Sequence, residues 1–382
     1  AWVILVLFLP VAAAAEAALP SELAVAIKGA DFTTDGIGLF IQGVEDNKPL
    51  VAFHADRFLN PASVIKLVTT AVALDLLGQG YRWSTEVMYT GNIEGNTLNG
   101  DLYFRGNGDP YLTPERFWRL LNRISIHGIH RIKGDVLIDN SYFEPGKIDY
   151  AAFDQQPYRT YNVGPNAVLV GFQATEFHFD IDDTGTDQAV KITPFPASPR
   201  LQIINQVKLV NGRCKAWQKR LSLETRNNAG MLEVTFTGNY ARACNKRTLY
   251  RRVSGTRDHY QHFFLPLWSQ LGGSVDGKIT QGIVPADARK VLEESSVSLA
   301  EAVRLVNKFS NNVMTRQILL SLGAQQFDPP GTTEKGIAAV RAWLVEYDLD
   351  HPALQLDQGT GLSRDARISA GLLGKLLLHV YK

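Results

Sequence analysis

The chain has little cysteine and no excess of charge of either sign. Its 382 residues hold 39 Lys and Arg against 38 Asp and Glu, a formal net charge of +1. A charge so close to neutral gives no reason to expect nucleic acid as a partner. Two cysteines lack the further ligands that zinc requires, and the eight histidines show no zinc-ligand spacing, so we expect no metal. The triplet Gly106-Asn107-Gly108 is too short for a nucleotide-binding loop, and we expect no cofactor.

Long apolar runs are also missing, except at the start of the chain. Residues 1–10 are apolar and residues 11–18 are rich in alanine, which is typical of a secretory signal peptide. At about 15 residues the apolar run is shorter than the roughly 20 that span a bilayer. We interpret residues 1–18 as part of a signal peptide, which predicts an exported, periplasmic protein without an integral membrane span in its mature chain. A buried N-terminal strand or helix is the alternative.

The two cysteines, Cys214 and Cys244, lie in a segment of alternating, strand-like sequence. In an oxidising compartment such a pair is readily interpreted as one disulfide. It would close a loop of about 30 residues and stabilise the fold by about 3 kcal/mol. Two unpaired buried thiols are the alternative.

Hydrophobic periodicity divides the chain into helical and β-rich regions. An apolar run over residues 64–77 predicts a buried helix, and residues 161–280 alternate in a way that predicts mainly β-structure. From Leu292 onward the pattern indicates helices again, and residues 313–322, 335–347 and 369–381 predict amphipathic ones. Thr113 and Ser298 are typical N-cap residues before two of the helices. A helical unit interrupted by a long β-rich stretch predicts an insertion inside the first domain.

Ser63 and Lys66 stand at the start of the buried helix. They lie three residues apart, so both side chains project from one helix face. Unpaired N–H groups in the first turn favour negative charge developing at Ser63. A lysine in apolar surroundings loses its proton more readily and can activate a serine hydroxyl. The pair predicts a nucleophile with its base; an N-cap serine beside a lysine that reaches out to solvent is the alternative.

A second candidate motif is Ser310-Asn311-Asn312. It lies between a helix predicted to end near Asn307 and one predicted to start near Val313. In such a tight connection a hydroxyl and an amide two residues apart can face one cleft. Ser310 would then relay a proton to a leaving amine, and Asn312 would bind a substrate amide. A plain polar turn is the alternative.

Ser-x-x-Lys followed by Ser-x-Asn resembles the active-site serine penicillin-recognising enzymes. The resemblance runs from about Leu19 to the last residue and is closest to the class C low-molecular-mass penicillin-binding proteins, which are D-alanyl-D-alanine carboxypeptidase/endopeptidases. Three further stretches carry it: Gly106-Asn107-Gly108-Asp109-Pro110-Tyr111-Leu112-Thr113, Gly134-Asp135-Val136-Leu137-Ile138-Asp139 and Gly359-Thr360-Gly361-Leu362-Ser363-Arg364.

The resemblance implies a multi-domain α/β protein, in which a penicillin-binding-protein/β-lactamase-like transpeptidase domain is split by a mainly β insertion of two small domains. This would place the transpeptidase domain at residues 19–83 and 285–382 and the insertion at residues 84–284. Within the insertion, one domain would take about 84–160 with 256–284, and the other about 161–255.

Carried over by position, the resemblance implies four catalytic residues. Ser63 would be the acylated nucleophile and Lys66 its base, and Ser310 and Asn312 would form the second motif. The implied partners are peptidoglycan stem peptides and β-lactam antibiotics. A β-lactamase, and a non-catalytic peptidoglycan-binding protein with a vestigial site, are the alternatives.

Three other residues are candidates for substrate binding. Arg364 is expected to contact the stem peptide or its carboxylate. Asp154 and Tyr161 are expected near the far end of the substrate, where a free amino group would meet an acid and an aromatic wall. Ordinary surface and core positions are the alternative for these two.

The chain departs from the family pattern in two places. Gln358 stands where the family often has Asp, with Asp357 one place earlier. No Lys-Thr-Gly follows Arg364 before Lys382, although this third motif supplies a cation for the substrate carboxylate and one edge of the oxyanion hole. We therefore expect the sequence to be a fragment of a longer protein, truncated at both ends.

Overall fold

In the computed structural model, apolar side chains collect into three large clusters, each with its own helices or sheets. The structure describes residues 19–29, 33–182, 189–228 and 230–382, so the predicted signal peptide lies outside the described residues. Within these residues, no helix is both long and apolar enough to cross a membrane. The helices described are α1 (Ser21–Gly29), α2 (Lys66–Leu77), α3 (Pro114–Ile126), α4 (Thr256–Gln270), α5 (Leu299–Phe309), α6 (Asn312–Phe327), α7 (Thr333–Glu346) and α8 (Ala370–Tyr381).

The first cluster belongs to a helical unit built around α2. Helices α5, α6, α7 and α8 pack against α2, and Val72, Ile318 and Trp343 are buried where they meet. Two short antiparallel pairs complete this unit: β1 (Leu39–Ile41) with β2 (Val51–Phe53), and β3 (Phe58–Leu59) with β19 (Ile368–Ser369).

Helix α6 lies at the centre of the helical unit. The helix predicted over residues 313–322 is confirmed, but its predicted amphipathic character is wrong, because every residue from Asn312 to Ala324 is buried. A helix with packed neighbours on all sides has no polar face to show in its periodicity. The polar side chains that α6 carries are therefore inside the protein.

The second cluster lies between two mixed sheets and the helices α3 and α4. One sheet has the order β17-β9-β7-β4-β18 and the other the order β16-β8-β6-β5. Their strands are β4 (Arg82–Tyr89), β5 (Asn92–Glu94), β6 (Thr97–Asn99), β7 (Leu102–Gly106), β8 (Arg131–Ile132), β9 (Val136–Asp139), β16 (Ser274–Val275), β17 (Ile279–Gln281) and β18 (Arg289–Ser298). Thr113 caps α3 by accepting a hydrogen bond from the backbone N–H of Arg116, which confirms the N-cap predicted there.

Two elements of this unit differ from the sequence prediction. α4 lies within the region predicted to be mainly β. Its sequence shows no helical periodicity, because its aromatic side chains are buried nearly all round and Pro266 interrupts the helical pattern. β18 forms a strand where helical sequence was expected from Leu292. Its buried face includes the polar Glu294 and Ser296, so hydrophobicity alone does not show the alternation.

The third cluster lies between two three-stranded sheets, with orders β11-β10-β15 and β12-β14-β13. Their strands are β10 (Thr175–Asp182), β11 (Ala189–Phe195), β12 (Leu201–Val210), β13 (Leu221–Asn228), β14 (Met231–Ala241) and β15 (Arg247–Arg251). A disulfide joins Cys214 to Cys244, whose Cα atoms are 4.7 Å apart. The domain boundaries given above stay a prediction.

Candidate active site

Ser63 lies on a strained turn at the start of α2. It belongs to the 3-10 turn Ala62–Ile65, and Ala62 has a φ of 45°, a conformation that residues with a side chain rarely adopt. The side chain of Asn60 holds this turn by accepting a hydrogen bond from the Ala62 N–H at 2.9 Å. Ser63 is exposed at the surface, while Lys66 is only 2% exposed.

The Lys66 ammonium group contacts the Ser63 hydroxyl, with 3.1 Å between Nζ and Oγ. Nζ also donates to the backbone carbonyl of Thr360, a residue that is fully buried. Burial, together with the positive charge of Arg316, lowers the pKa of Lys66 to about 8. About a tenth of the Lys66 side chains are then neutral at pH 7, whereas almost none would be neutral at the ordinary lysine pKa. Ser63 and Lys66 thus have the short distance, and Lys66 the lowered pKa, that suit a serine nucleophile with a basic partner.

The loop of residues 357–365 lies along the start of α2. Thr69 donates to the Gly359 carbonyl at 2.9 Å, and Asn60 donates to the Ser363 carbonyl at 3.0 Å. Gly361 faces the turn so closely that a Cβ there would lie 1.8 Å from the Ala62 carbonyl oxygen, and its φ is 75°. Only glycine fits this position, so the loop and the nucleophile turn fix each other's place.

The second motif occupies the tight connection between α5 and α6. Ser310 ends α5 in a left-handed conformation, and the Asn311 side chain caps α6 by accepting from the Met314 N–H at 3.1 Å. Asn312 is 9% exposed, and its Oδ1 has no hydrogen-bond partner among the described residues. Ser310, Asn312 and Tyr161 line one cavity of ≈ 580 Å³. A buried amide oxygen without a partner at a cavity is suited to accept a hydrogen bond from a ligand.

The structure brings Asp154 and Tyr161 together. The Tyr161 hydroxyl donates to Asp154, and Asn162 donates to the other carboxylate oxygen at 3.1 Å. Burial raises the pKa of Asp154, but these hydrogen bonds outweigh that effect and hold its pKa below the usual range. Arg364 lies over the ring of Phe153, with 4.6 Å between Cζ and the ring centroid. Arg364 lines a different cavity, of ≈ 510 Å³, which Phe153 and Asn162 share.

Arg316 is a site residue that the sequence reasoning missed. It lies on α6 one turn after Asn312, is 8% exposed and contacts both the loop and the segment that follows Tyr161. A charged side chain four residues after Asn312 in an otherwise uncharged helix was the signal that could have found it. The Thr360 carbonyl was also missed, and a backbone group leaves no trace in the residue types.

The fold of the chain is that of a penicillin-binding protein. It is similar to the crystal structure of penicillin binding protein 4 (dacB) from Haemophilus influenzae, with a TM-score of 0.75 and 21% sequence identity over 90% of this chain and 75% of the other. The same protein complexed with a novel β-lactam gives a TM-score of 0.70, with 21% identity over 90% and 73% of the two chains. The predicted fold class, a multi-domain α/β protein of the penicillin-binding type, is confirmed.

The sequence comparisons identify the family. Residues 19–382 match the D-Ala-D-Ala carboxypeptidase 3 (S13) family, and the chain belongs to it. A D-alanyl-D-alanine carboxypeptidase of Actinomadura sp. (strain R39) is 28% identical over 350 residues, which are 89% of this chain and 63% of that protein. The D-alanyl-D-alanine carboxypeptidase DacB of Haemophilus influenzae is 22% identical over 347 residues, or 91% and 71% of the two chains. The chain thus spans less than two thirds of the length of the first relative.

Proposed function

We propose that the protein is a serine-type D-alanyl-D-alanine carboxypeptidase/endopeptidase that acts on peptidoglycan stem peptides through an acyl-enzyme on Ser63 and is acylated by penicillins. The observation that carries the proposal is the contact between the exposed Ser63 hydroxyl and the buried Lys66 amine at 3.1 Å. Membership of the family and the carboxypeptidase names of the relatives support the choice of substrate.

In the proposed reaction, the Ser63 Oγ attacks the carbonyl carbon of the peptide bond while neutral Lys66 takes the hydroxyl proton. The C–N bond then breaks, the proton passes to the leaving amine, and the peptide remains as an ester on Ser63. Water attacks the ester carbonyl while Lys66 accepts its proton, the bond between the carbonyl carbon and Ser63 Oγ breaks, and Lys66 passes the proton to Oγ, which restores the Ser63 hydroxyl and the neutral lysine. A β-lactam follows the first half of this sequence, and its ring amide opens in place of the peptide bond.

We assign the other candidate residues the roles that the family resemblance implies. Ser310 relays the proton to the leaving amine, and the free Oδ1 of Asn312 accepts a hydrogen bond from a substrate amide. Arg364 binds the stem peptide or its carboxylate. Asp154 and Tyr161 form the acid and aromatic wall for an amino group at the far end of the substrate.

We further propose that the protein works in the periplasm, as the apolar and alanine-rich residues 1–18 led us to expect. The disulfide between Cys214 and Cys244 supports this location, because structural disulfides persist in oxidising compartments.

Labelling with a fluorescent penicillin tests the proposed function. Ser63→Ala should abolish the covalent adduct, and Lys66→Ala should slow its formation by at least about a hundredfold, the lower end of general-base contributions. Ser295→Ala, at an exposed serine of β18, is the matched control and should label normally.

A long-lived adduct on Ser63 supports the peptidase, rapid turnover of the penicillin would indicate a β-lactamase, and no adduct would indicate a non-catalytic binding protein. Release of D-alanine from a pentapeptide and cleavage of a cross-linked dimer then measure the two peptidase activities separately.

A further inference from the structure

The guanidinium of Arg316 is buried and forms no salt bridge. Among the described residues, no carboxylate lies within salt-bridge distance of it, and it donates instead to three neutral oxygens. These are Gln358 Oε1 at 3.1 Å, the Tyr161 carbonyl at 3.1 Å and the Val163 carbonyl at 2.6 Å. Burying a charge without a salt-bridge partner costs free energy, so such an arrangement points to a role in function.

The partners of Arg316 connect it to two candidate parts of the site. Tyr161 and Val163 belong to the segment that carries the Asp154–Tyr161 hydrogen bond. Gln358 comes directly before Gly359 and Thr360, whose carbonyls receive hydrogen bonds from Thr69 and Lys66 of α2. A displacement of the turn at residues 358–360 would therefore move the carbonyl that holds Lys66 beside Ser63.

The charge of Arg316 also acts directly on Lys66. Two positive charges in one buried region repel each other, and this adds to the effect of burial in lowering the pKa of Lys66. Asp357, in the loop, is the acid whose field favours the charge on Arg316.

The helices packed against α2 bring further polar groups close to it. Asp75, further along α2, is hydrogen-bonded to the Trp343 indole of α7. α5 faces α2 with the neutral amide of Asn307, bonded to Thr70, and α8 carries His379 against Trp343.

We propose that Arg316 is a positioning residue: it holds the turn at residues 358–360 against the nucleophile helix, and it does so as a cation bonded to neutral oxygens and without a salt-bridge partner. The neutral amide of Gln358 is essential to this arrangement, because it accepts a hydrogen bond from Arg316 without cancelling its charge. A carboxylate at position 358 would keep the contact and remove the repulsion. The inference rests on the proposed function, since the advantage of a neutral Lys66 is its use as a base.

The sharpest test is Gln358→Glu, which changes the charge and almost nothing of the shape. Paired with a carboxylate, Arg316 no longer repels the charged form of Lys66, so the pKa of Lys66 rises. A rise of one unit in the pKa of Lys66 would lower the acylation rate at pH 7 by about tenfold and leave it within about twofold of the unaltered protein at pH 10, because each tenfold loss of neutral lysine costs tenfold in rate. Gln325→Glu is the matched control: it makes the same change at an exposed position of α6 and should leave the pH profile unaltered.

Arg316→Lys separates charge from position. It keeps a cation on α6 but gives up the fork that bonds three partners at once, so the rate should fall at every pH while the midpoint of the profile stays in place. A midpoint in Gln358→Glu equal to that of the unaltered protein would overturn the proposal, as would a pH-independent loss in that variant.

NMR titration of lysines labelled with ¹³C at Cε gives a readout that requires no turnover, with Lys66 assigned from a Lys66→Arg sample. A higher pKa of Lys66 in Gln358→Glu supports the inference even if penicillin does not acylate the protein, and an unchanged pKa contradicts it even if acylation is normal. Failure of the proposed function is thus distinguished from failure of the inference.

Discussion

Replacing Gly361 by alanine should displace the turn that carries the nucleophile. A Cβ at this position would lie 1.8 Å from the Ala62 carbonyl oxygen and 2.9 Å from the Ser63 nitrogen. Favourable contacts of this kind need about 3.5 Å, so the turn or the loop must move by more than about 1 Å. Because a misplacement of about 1 Å can cost about a hundredfold in rate, we expect acylation by penicillin to slow by about that factor.

The backbone of Gly361 adds a second cost, which a control can isolate. Its φ of 75° disfavours any residue with a side chain by about 1–2 kcal/mol. Gly78, at the end of α2, has a φ of 80°, but a Cβ added there would meet nothing within 4 Å. Gly78→Ala should therefore also lose stability in urea unfolding, while acylating within about twofold of the unaltered protein. If Gly361→Ala also acylates at the unaltered rate, the loop does not fix the position of Ser63.

Two further predictions concern stability. Reduction of the Cys214–Cys244 disulfide, which closes a loop of 30 residues, should lower the free energy of unfolding by about 3 kcal/mol; urea unfolding with and without reductant measures this, and identical curves would contradict it. Burial lowers the pKa of His259 to about 3 and that of His262 to about 4. In the unfolded chain both pKa values are near 6.5, so between about pH 4 and 6.5 the unfolded chain binds more protons than the folded one, and the free energy of unfolding rises with pH. The melting temperature should therefore fall as the pH drops from about 6.5 to 4, and an equally steep fall in His262→Gln would exclude a contribution from that residue.

The sequence predicts features that depend on residues close together in the chain. The contact between Ser63 and Lys66 follows from a spacing of three residues on one helix, and the caps at Thr113 and Ser298 follow from a side chain and an N–H three residues on. The burial of α2 follows from an apolar run that continues around the whole helix.

Features that depend on distant residues are not predictable in this way. β18 is a strand because it pairs with β4, and its buried Glu294 is accommodated by Arg119 and Arg123 of α3, which lie about 170 residues earlier. In the same way, the contact between Arg316 and Gln358 joins two segments that give no joint signal in the sequence. The departure from the family pattern at Gln358 is visible in the sequence, but its position against a buried cation is not.

The pairing of β4 with β18 has a consequence for the order of folding. β4 follows α2 closely in the chain and β18 runs directly into α5, so the two halves of the helical unit are separated by roughly 200 residues of intervening chain. Bringing the ends of such a loop together costs about 5 kcal/mol of chain entropy before any contact between α2 and α5 is made. Pairing of β4 with β18 holds the two ends of this loop one strand spacing apart. Most of the chain entropy is therefore already lost when the intervening chain forms its own sheet. We therefore expect α2 and α5 to meet late, in a helical unit that assembles on an already folded insertion, and hydrogen exchange during refolding should protect β4 before α6.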